Sequence, residues 1–151
     1  RVLHLLRRIY WFIFRPLNLG CRVIVEHDEK ILLVKMSYHN SWFLPGGGVD
    51  KGETFSQAAI RELFEECRIQ VNNLWLQGVY LNTQMGAIDH VAVFVARDYD
   101  GTQPQVDGRE MIEAKFFQKN NLPQDLSPGH RRRLNEYMAA NTQHHQVAEF
   151  W

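Results

Sequence analysis

The sequence predicts an α/β domain built as one mixed β-sheet with helices packed against it. Three observations lead there. The chain of 151 residues is 45% hydrophobic, enough for one substantial core and too short for two ordinary domains. Short β-rich runs recur along it, interrupted by a long helical pattern in the middle and another near the end. Strands and a helix followed by strands and a second helix is the order of a sheet covered by helices. The seventeen Lys plus Arg offset seventeen Asp plus Glu, so overall charge gives no reason to expect a stable nucleic-acid complex.

Arg1 to Phe14 reads as a basic amphipathic helix, with Val2, Leu5, Leu6, Ile9 and Ile13 on one side and His4, Arg8 and Arg15 near the other. It contains no acidic residue, and Arg15-Pro16 ends it because the residue before proline is pushed out of the helical region. Residues 1–16 are therefore read as a segment apart from a main domain over 17–141 and a tail over 142–151. The helix either lies on a membrane surface as a peripheral contact or docks on the domain or on a second copy, giving a homodimer. The longest apolar runs, Ile9–Phe14 and Val91–Ala96, are six residues each, where a membrane-spanning helix needs about 20. The first twenty residues lack the apolar centre and small-residue cleavage site of a signal peptide. Two isolated cysteines, Cys21 and Cys67, form neither a disulfide framework nor a zinc motif, which points to a reducing, cytoplasmic compartment.

Cys21–Glu26 and Ile31–Met36 flank the polar stretch His27–Lys30, the form of a hairpin. Trp42–Leu44 is a short strand, and Pro45-Gly46-Gly47-Gly48 then breaks regular structure. Thr54, with Gln57 three residues on, has the spacing of a capping box and opens a helix to Cys67. Leu74–Leu81 and His90–Ala96 are two further strands, the second apolar enough to be buried on both faces. After the polar stretch 97–109, Met111–Gln118 is the last strand. Ser127 as cap and Pro128 in the first turn start a helix through Ala140.

The chemistry is concentrated in the helix that Thr54 opens. Glu62, Glu65 and Glu66 stand at i, i+3 and i+4, so their carboxylates share one face. That arrangement costs tenths of a kcal/mol per pair, roughly, and the second half of a helix also disfavours anions. Hard divalent cations repay the repulsion, since they bind oxygen and gain from each added carboxylate. Ala58, Ala59, Leu63 and Phe64 supply the opposite, sheet-facing side. Arg61 is positioned to pair with Glu65 or to hold a neighbouring carboxylate in place, Glu53 adds a fourth carboxylate before the helix, and the three glycines permit close backbone approach. A bare E-x-x-E-E is also the pattern of a solvated charged face.

The wider pattern decides between these readings. Gly47, Glu53, Arg61-Glu62-Leu63-Phe64-Glu65-Glu66 and Ile69, at these spacings, resemble the Nudix box, and Trp42-Phe43-Leu44-Pro45-Gly46-Gly47 resembles that family's approach to the box. The resemblance runs from Leu19 to Ala140 and implies a Nudix α/β/α sandwich. One position departs from the family pattern: Arg68 stands where the family has glycine. A helix that stops at Cys67 puts Arg68 in the left-handed region, whereas a helix that continues does not. The implied reaction is hydrolysis of a phosphoanhydride in a nucleoside diphosphate linked to another group, with Mg²⁺ or Mn²⁺ at Glu62, Glu65 and Glu66. ADP-ribose, dinucleoside polyphosphates, nucleoside triphosphates and nucleotide sugars all qualify as substrates. Arg61 and Glu53 become orienting residues, and Glu66, Glu110 and Glu113 are candidates for the general base. A non-catalytic nucleotide-binding module of the same fold and a membrane-peripheral adaptor are the rival classes.

Gly46, Gly47 and Gly48 are candidates for substrate contact, Lys35 for phosphate and Trp42 for a base, with packing or solvation as the alternative for the last two. Arg131-Arg132-Arg133 reads as a solvated surface, because consecutive helical residues point in different directions. Tyr38, Tyr80 and Phe94 read as core or pocket wall.

Overall fold

A computed structural model describes residues 17–82 and 88–139; the expected N-terminal helix and C-terminal tail lie outside the described residues. The elements are β1 (Leu17–His27), β2 (Lys30–Met36), β3 (Trp42–Phe43), α1 (Phe55–Cys67), β4 (Trp75–Asn82), β5 (Ile88–Ala96), β6 (Met111–Gln118) and α2 (Pro128–Ala139). Every expected element between residues 17 and 139 is present. Bounds differ where tertiary partners extend or cut an element. β1 begins at Leu17 rather than Cys21 because it runs parallel to β5 from Leu17↔Ile88 to Val25↔Ala96. β3 stops at Phe43 because Leu44 N–H donates to His130 Nδ1 at 2.9 Å instead of to a neighbouring strand.

The six strands form one sheet in the order β3-β2-β1-β5-β4, with β6 on the other edge of β2. Asp28 and Glu29, both left-handed at φ 48° and 59°, turn the β1–β2 hairpin. These two strands pair only beside that turn, at Glu26↔Ile31 and His27↔Lys30, and then diverge. The divergence leaves the first half of β1 with one edge open, and the site is built there. Alternation along the strands feeds two cores. Val23, Val25, Leu32 and Val34 pack under α1 with Ala58, Ala59, Leu63 and Cys67. Ile24, Ile31, Leu33, Trp42, Val93 and Val95 pack under α2 with Leu134 and Tyr137. Ala92–Ala96 of β5 are buried on both faces, as their composition predicts. Tyr137 also ties α2 to β1, its hydroxyl donating to Glu26, a carboxylate that Lys119 shares.

α1 begins with a complete capping box: Gln57 N–H donates to Thr54 Oγ1 at 3.2 Å and Thr54 N–H to Gln57 Oε1 at 2.9 Å. It ends at Cys67, with Arg68 in the left-handed region at φ 57° and its N–H donating to Phe64 O at 2.9 Å. Phe64 is a correction to the sequence reading: it is 42% exposed, because Leu63 and Cys67 define the inward line and the next residue is turned roughly 100° away. The Arg68 guanidinium covers its ring at 5.2 Å.

Substituting Arg68→Gly should relieve a left-handed cost of about 1 kcal/mol, offset by the freer unfolded chain and by loss of the stack on Phe64. The expected net change in urea unfolding is a gain of a few tenths of a kcal/mol, roughly. In a Phe64→Ala background, where the stack is already gone, the gain should be larger.

Candidate active site

Along the open edge of β1 the partner is a loop. Val23 N–H donates to Pro45 O at 2.9 Å, Cys21 N–H to Gly47 O at 2.9 Å, and Val49 N–H to Leu19 O at 3.0 Å. The glycines make this approach possible. At Gly46, φ is 131° and a Cβ would sit 2.3 Å from Cys21 O; at Gly47 a Cβ would sit 2.6 Å from the Glu62 carboxylate. Gly48 has open space around it, and its carbonyl accepts from Arg61 Nη2 at 3.0 Å.

The box side chains of α1 close on this loop. Arg61 holds Glu53 through two bonds, Nε to Oε1 at 2.8 Å and Nη2 to Oε2 at 2.9 Å, which keeps the Glu53 carboxyl ionised down to about 2. The same guanidinium donates to Glu62 at 2.8 Å and to Glu65 at 3.3 Å. Glu66 turns the other way and accepts the Gly46 N–H at 2.8 Å. Burial pushes its carboxyl up to about 7; the Gly46 bond and the nearby Arg22 charge pull it down, and Glu62 and Glu110 push it up further. Glu62, Glu65 and Glu66 thus share one helix face, but among the described residues no three donors converge on one point. The donor set nevertheless fits a hard dication: it is all carboxylate oxygen, and burial raises Glu66 against the pull of Arg22, so an added positive charge would favour its ionised form.

The other predicted residues separate. Glu110 is electrostatically coupled to Glu66 and within 3.4 Å of the Tyr38 hydroxyl. Glu113 is cross-strand neighbour to Lys35, on the side of the sheet opposite α1, exposed and away from the box. Lys35 lies 3.5 Å from Asp125 and over the Trp42 ring. Trp42 is 7% exposed and packs edge-on against Phe117, a core position. Tyr38, read as core or pocket wall, is 64% exposed. The arginine run is not uniformly solvated either, since Arg131 donates to Pro123 O and Arg133 stacks 3.9 Å from the Tyr80 ring.

Beside the glycine loop, on the α2 side of the sheet, is a cavity of about 600 Å³ bounded by the first half of β1, the paired ends of β4 and β5, and the start of α2. Two residues the sequence reading passed over connect it to the box. Arg22 lines the cavity and donates to Gly46 O. His130 lines it too, and burial lowers its imidazole to about 3, so the ring is neutral and accepts from Leu44 N–H. The signal for Arg22 was in the sequence: a lone charge inside the apolar run Cys21–Val25.

A sequence model of the NUDIX domain matches residues 15–137. The chain belongs to the Nudix hydrolase family. It is 35% identical over 119 residues to an ADP-ribose pyrophosphatase of Methanocaldococcus jannaschii, covering 76% of this chain and 69% of that one. Over 111 residues it is 34% identical to the NAD-capped RNA hydrolase NudC of Pectobacterium atrosepticum, covering 71% of this chain and 41% of that longer protein. Among solved structures, the MutT Nudix hydrolase of Burkholderia pseudomallei superposes with a TM-score of 0.72 at 28% identity, covering 80% of this chain and 98% of that one. Relatives are named as a pyrophosphatase and, in Bacillus subtilis, a putative 8-oxo-dGTP diphosphatase, and the chain is placed with them as a pyrophosphohydrolase.

Two groups of this site give stability opposite pH dependences. Without metal, Glu66 holds its proton up to about 7 in the fold against 4.5 as its ordinary value, so the fold loses stability as pH rises through that window. His130, depressed to about 3 from 6.5, loses stability in the other direction, as pH falls from 6.5. Comparing Glu66→Gln with the unaltered protein isolates the first effect. In urea unfolding with EDTA, Glu66→Gln should gain relative stability between about pH 5 and about pH 7.5. A difference that does not change with pH would show Glu66 titrating normally.

Proposed function

We propose that Glu62, Glu65 and Glu66 bind Mg²⁺ or Mn²⁺ and that the chain hydrolyses a phosphoanhydride bond in a nucleoside diphosphate joined to another group. The observation that carries this reading is Glu66, a half-buried carboxylate held at the glycine loop by Gly46 N–H, where burial and the neighbouring Glu62 and Glu110 outweigh the Arg22 charge. The metal supplies charge neutralisation of the diphosphate and a bound water of lowered pKa. The rest falls to the protein's own groups. Arg61, fixed by Glu53, holds Glu62 and Glu65 on the metal-facing side of α1. Pro45–Gly48 sets the position of Glu66 and brings backbone close to where the diphosphate lies. Arg22 places a cation between that loop and the cavity. For the general base, Glu66 and Glu110 are favoured over Glu113 by their mutual proximity.

ADP-ribose-like compounds and nucleoside triphosphates are in keeping with relatives named for ADP-ribose and 8-oxo-dGTP, and nucleotide sugars share the same linkage. Assay of such a panel with Mg²⁺ and with Mn²⁺ tests the reading. Glu65→Gln and Glu66→Gln should each lower kcat on the best substrate by about 10²-fold or more, some 3 kcal/mol of transition-state stabilisation. Near-full activity in both variants would remove the metal assignment.

A further inference from the structure

The cavity beside the box has a floor whose chemistry is set by strand register. β1 and β5 run parallel and β5 and β4 antiparallel, so one face of the sheet presents three rows of three residues, one from each strand. Nearest Glu66 the row is Arg22, Val93, Gly78; the middle row is Gly20, Val91, Tyr80; the outermost is Asn18, Asp89, Asn82. All three rows contribute to the cavity lining.

Each row offers something different. The first has a guanidinium beside the glycine loop, already bonded to Gly46 O and with further donors to offer. The middle row is flat and apolar. Gly20 has no side chain, and the Tyr80 hydroxyl end lies 3.1 Å from where a Cβ of Gly78 would stand, so the ring folds back along its own strand toward the first row. Arg133 fixes it there from above at 3.9 Å. In the outermost row, Asn18 Nδ2 donates to Asp89 Oδ1 at 2.8 Å. That bond spends an amide donor and holds the carboxylate in place, leaving Asp89 with acceptor capacity.

From Arg22 to Asn18 is four residues of strand, about 13 Å. That leaves room for a nucleotide laid from phosphate to base edge with a side-chain contact at each end. The polarity runs the same way: cation, apolar shelf, carboxylate. A carboxylate is best satisfied by two adjacent N–H donors. Guanine presents such a pair on its Watson–Crick edge, N1–H beside the N2 amino group, whereas adenine and cytosine place an acceptor next to their amino group.

We infer that this cavity takes the nucleoside half of the substrate, with its phosphate at Arg22 and a guanine-type base edge read by Asp89. The inference rests on the hydrolytic reading of the box only for the position of the phosphate.

Equilibrium binding of GMP, AMP and guanosine to the full chain in EDTA tests it without metal chemistry, so its failure is separable from failure of the catalytic proposal. GMP should bind about tenfold or more tightly than AMP, and Asp89→Asn should weaken GMP by about tenfold or more and bring the two nucleotides level. Arg22→Gln should weaken GMP while leaving guanosine unchanged, a split that general damage to the fold would not produce. An Asp89→Asn variant that keeps the unaltered GMP-to-AMP ratio, equal binding of both nucleotides by the unaltered protein, or binding of neither would overturn the inference. So would an Arg22→Gln variant that weakens guanosine and GMP alike.

Discussion

Between Leu19 and Val23 the edge of β1 hydrogen-bonds to a loop, and the loop must lie at strand distance while passing under the carboxylates of α1. That close approach is the constraint on which the remainder of the site depends. Gly46 fills a space with room for no Cβ against Cys21, and Gly47 fills one against Glu62. With the loop so placed, Gly46 faces two ways. Its N–H seats Glu66 on the α1 side and its carbonyl receives Arg22 from the α2 side. One residue without a side chain therefore joins the acidic helix to the cationic end of the cavity.

Charge in the site is organised around the same seam. Glu53, Glu62 and Glu65 converge on Arg61, so three of the four carboxylates share one guanidinium and the cluster stays net negative. Glu66 is left out of this arrangement, and burial rather than an ion pair governs its protonation. A dication arriving there gains the full interaction with Glu66 and competes with Arg61 for its neighbours. On the other side His130 stays neutral, which lets its Nδ1 accept the Leu44 N–H and couple α2 to the loop two residues ahead of Gly46.

The parts of this design carried by local sequence were legible in it. Thr54 and Gln57 announced the capping box and the spacing from Gly47 to Ile69 announced the box, while Arg68 left open whether the helix stops at Cys67, which its left-handed conformation decides. What depends on strand register was not legible. Nothing near Asp89 in the chain reveals that Asn18 flanks it, because parallel pairing of β1 with β5 brings the two together over a long sequence separation, and only the antiparallel register of β4 on β5 sets Asn82 on its other side. Likewise Glu113 and Glu110 look equivalent as late acids, and only the pairing of Glu113 with Lys35 puts it on the far side of the sheet. Trp42 sits next to the glycine loop in sequence, yet its strand is tied to the segment before α2, with Trp42 N–H on Asp125 O at 3.1 Å and Ser127 N–H on Trp42 O at 2.9 Å, and the indole turns into the core.

The dependence of the proposed metal site on the loop's close approach is tested most directly by Mn²⁺ affinity in Gly47→Ala and Gly48→Ala. The added methyl at Gly47 meets the flexible end of Glu62, which can swing aside, so the fold should survive while the carboxylate is displaced; at Gly48 the methyl meets nothing within 4 Å. The expected result is Mn²⁺ binding weakened about tenfold or more in Gly47→Ala and unchanged in Gly48→Ala. Equal, undiminished affinity in both variants would contradict it.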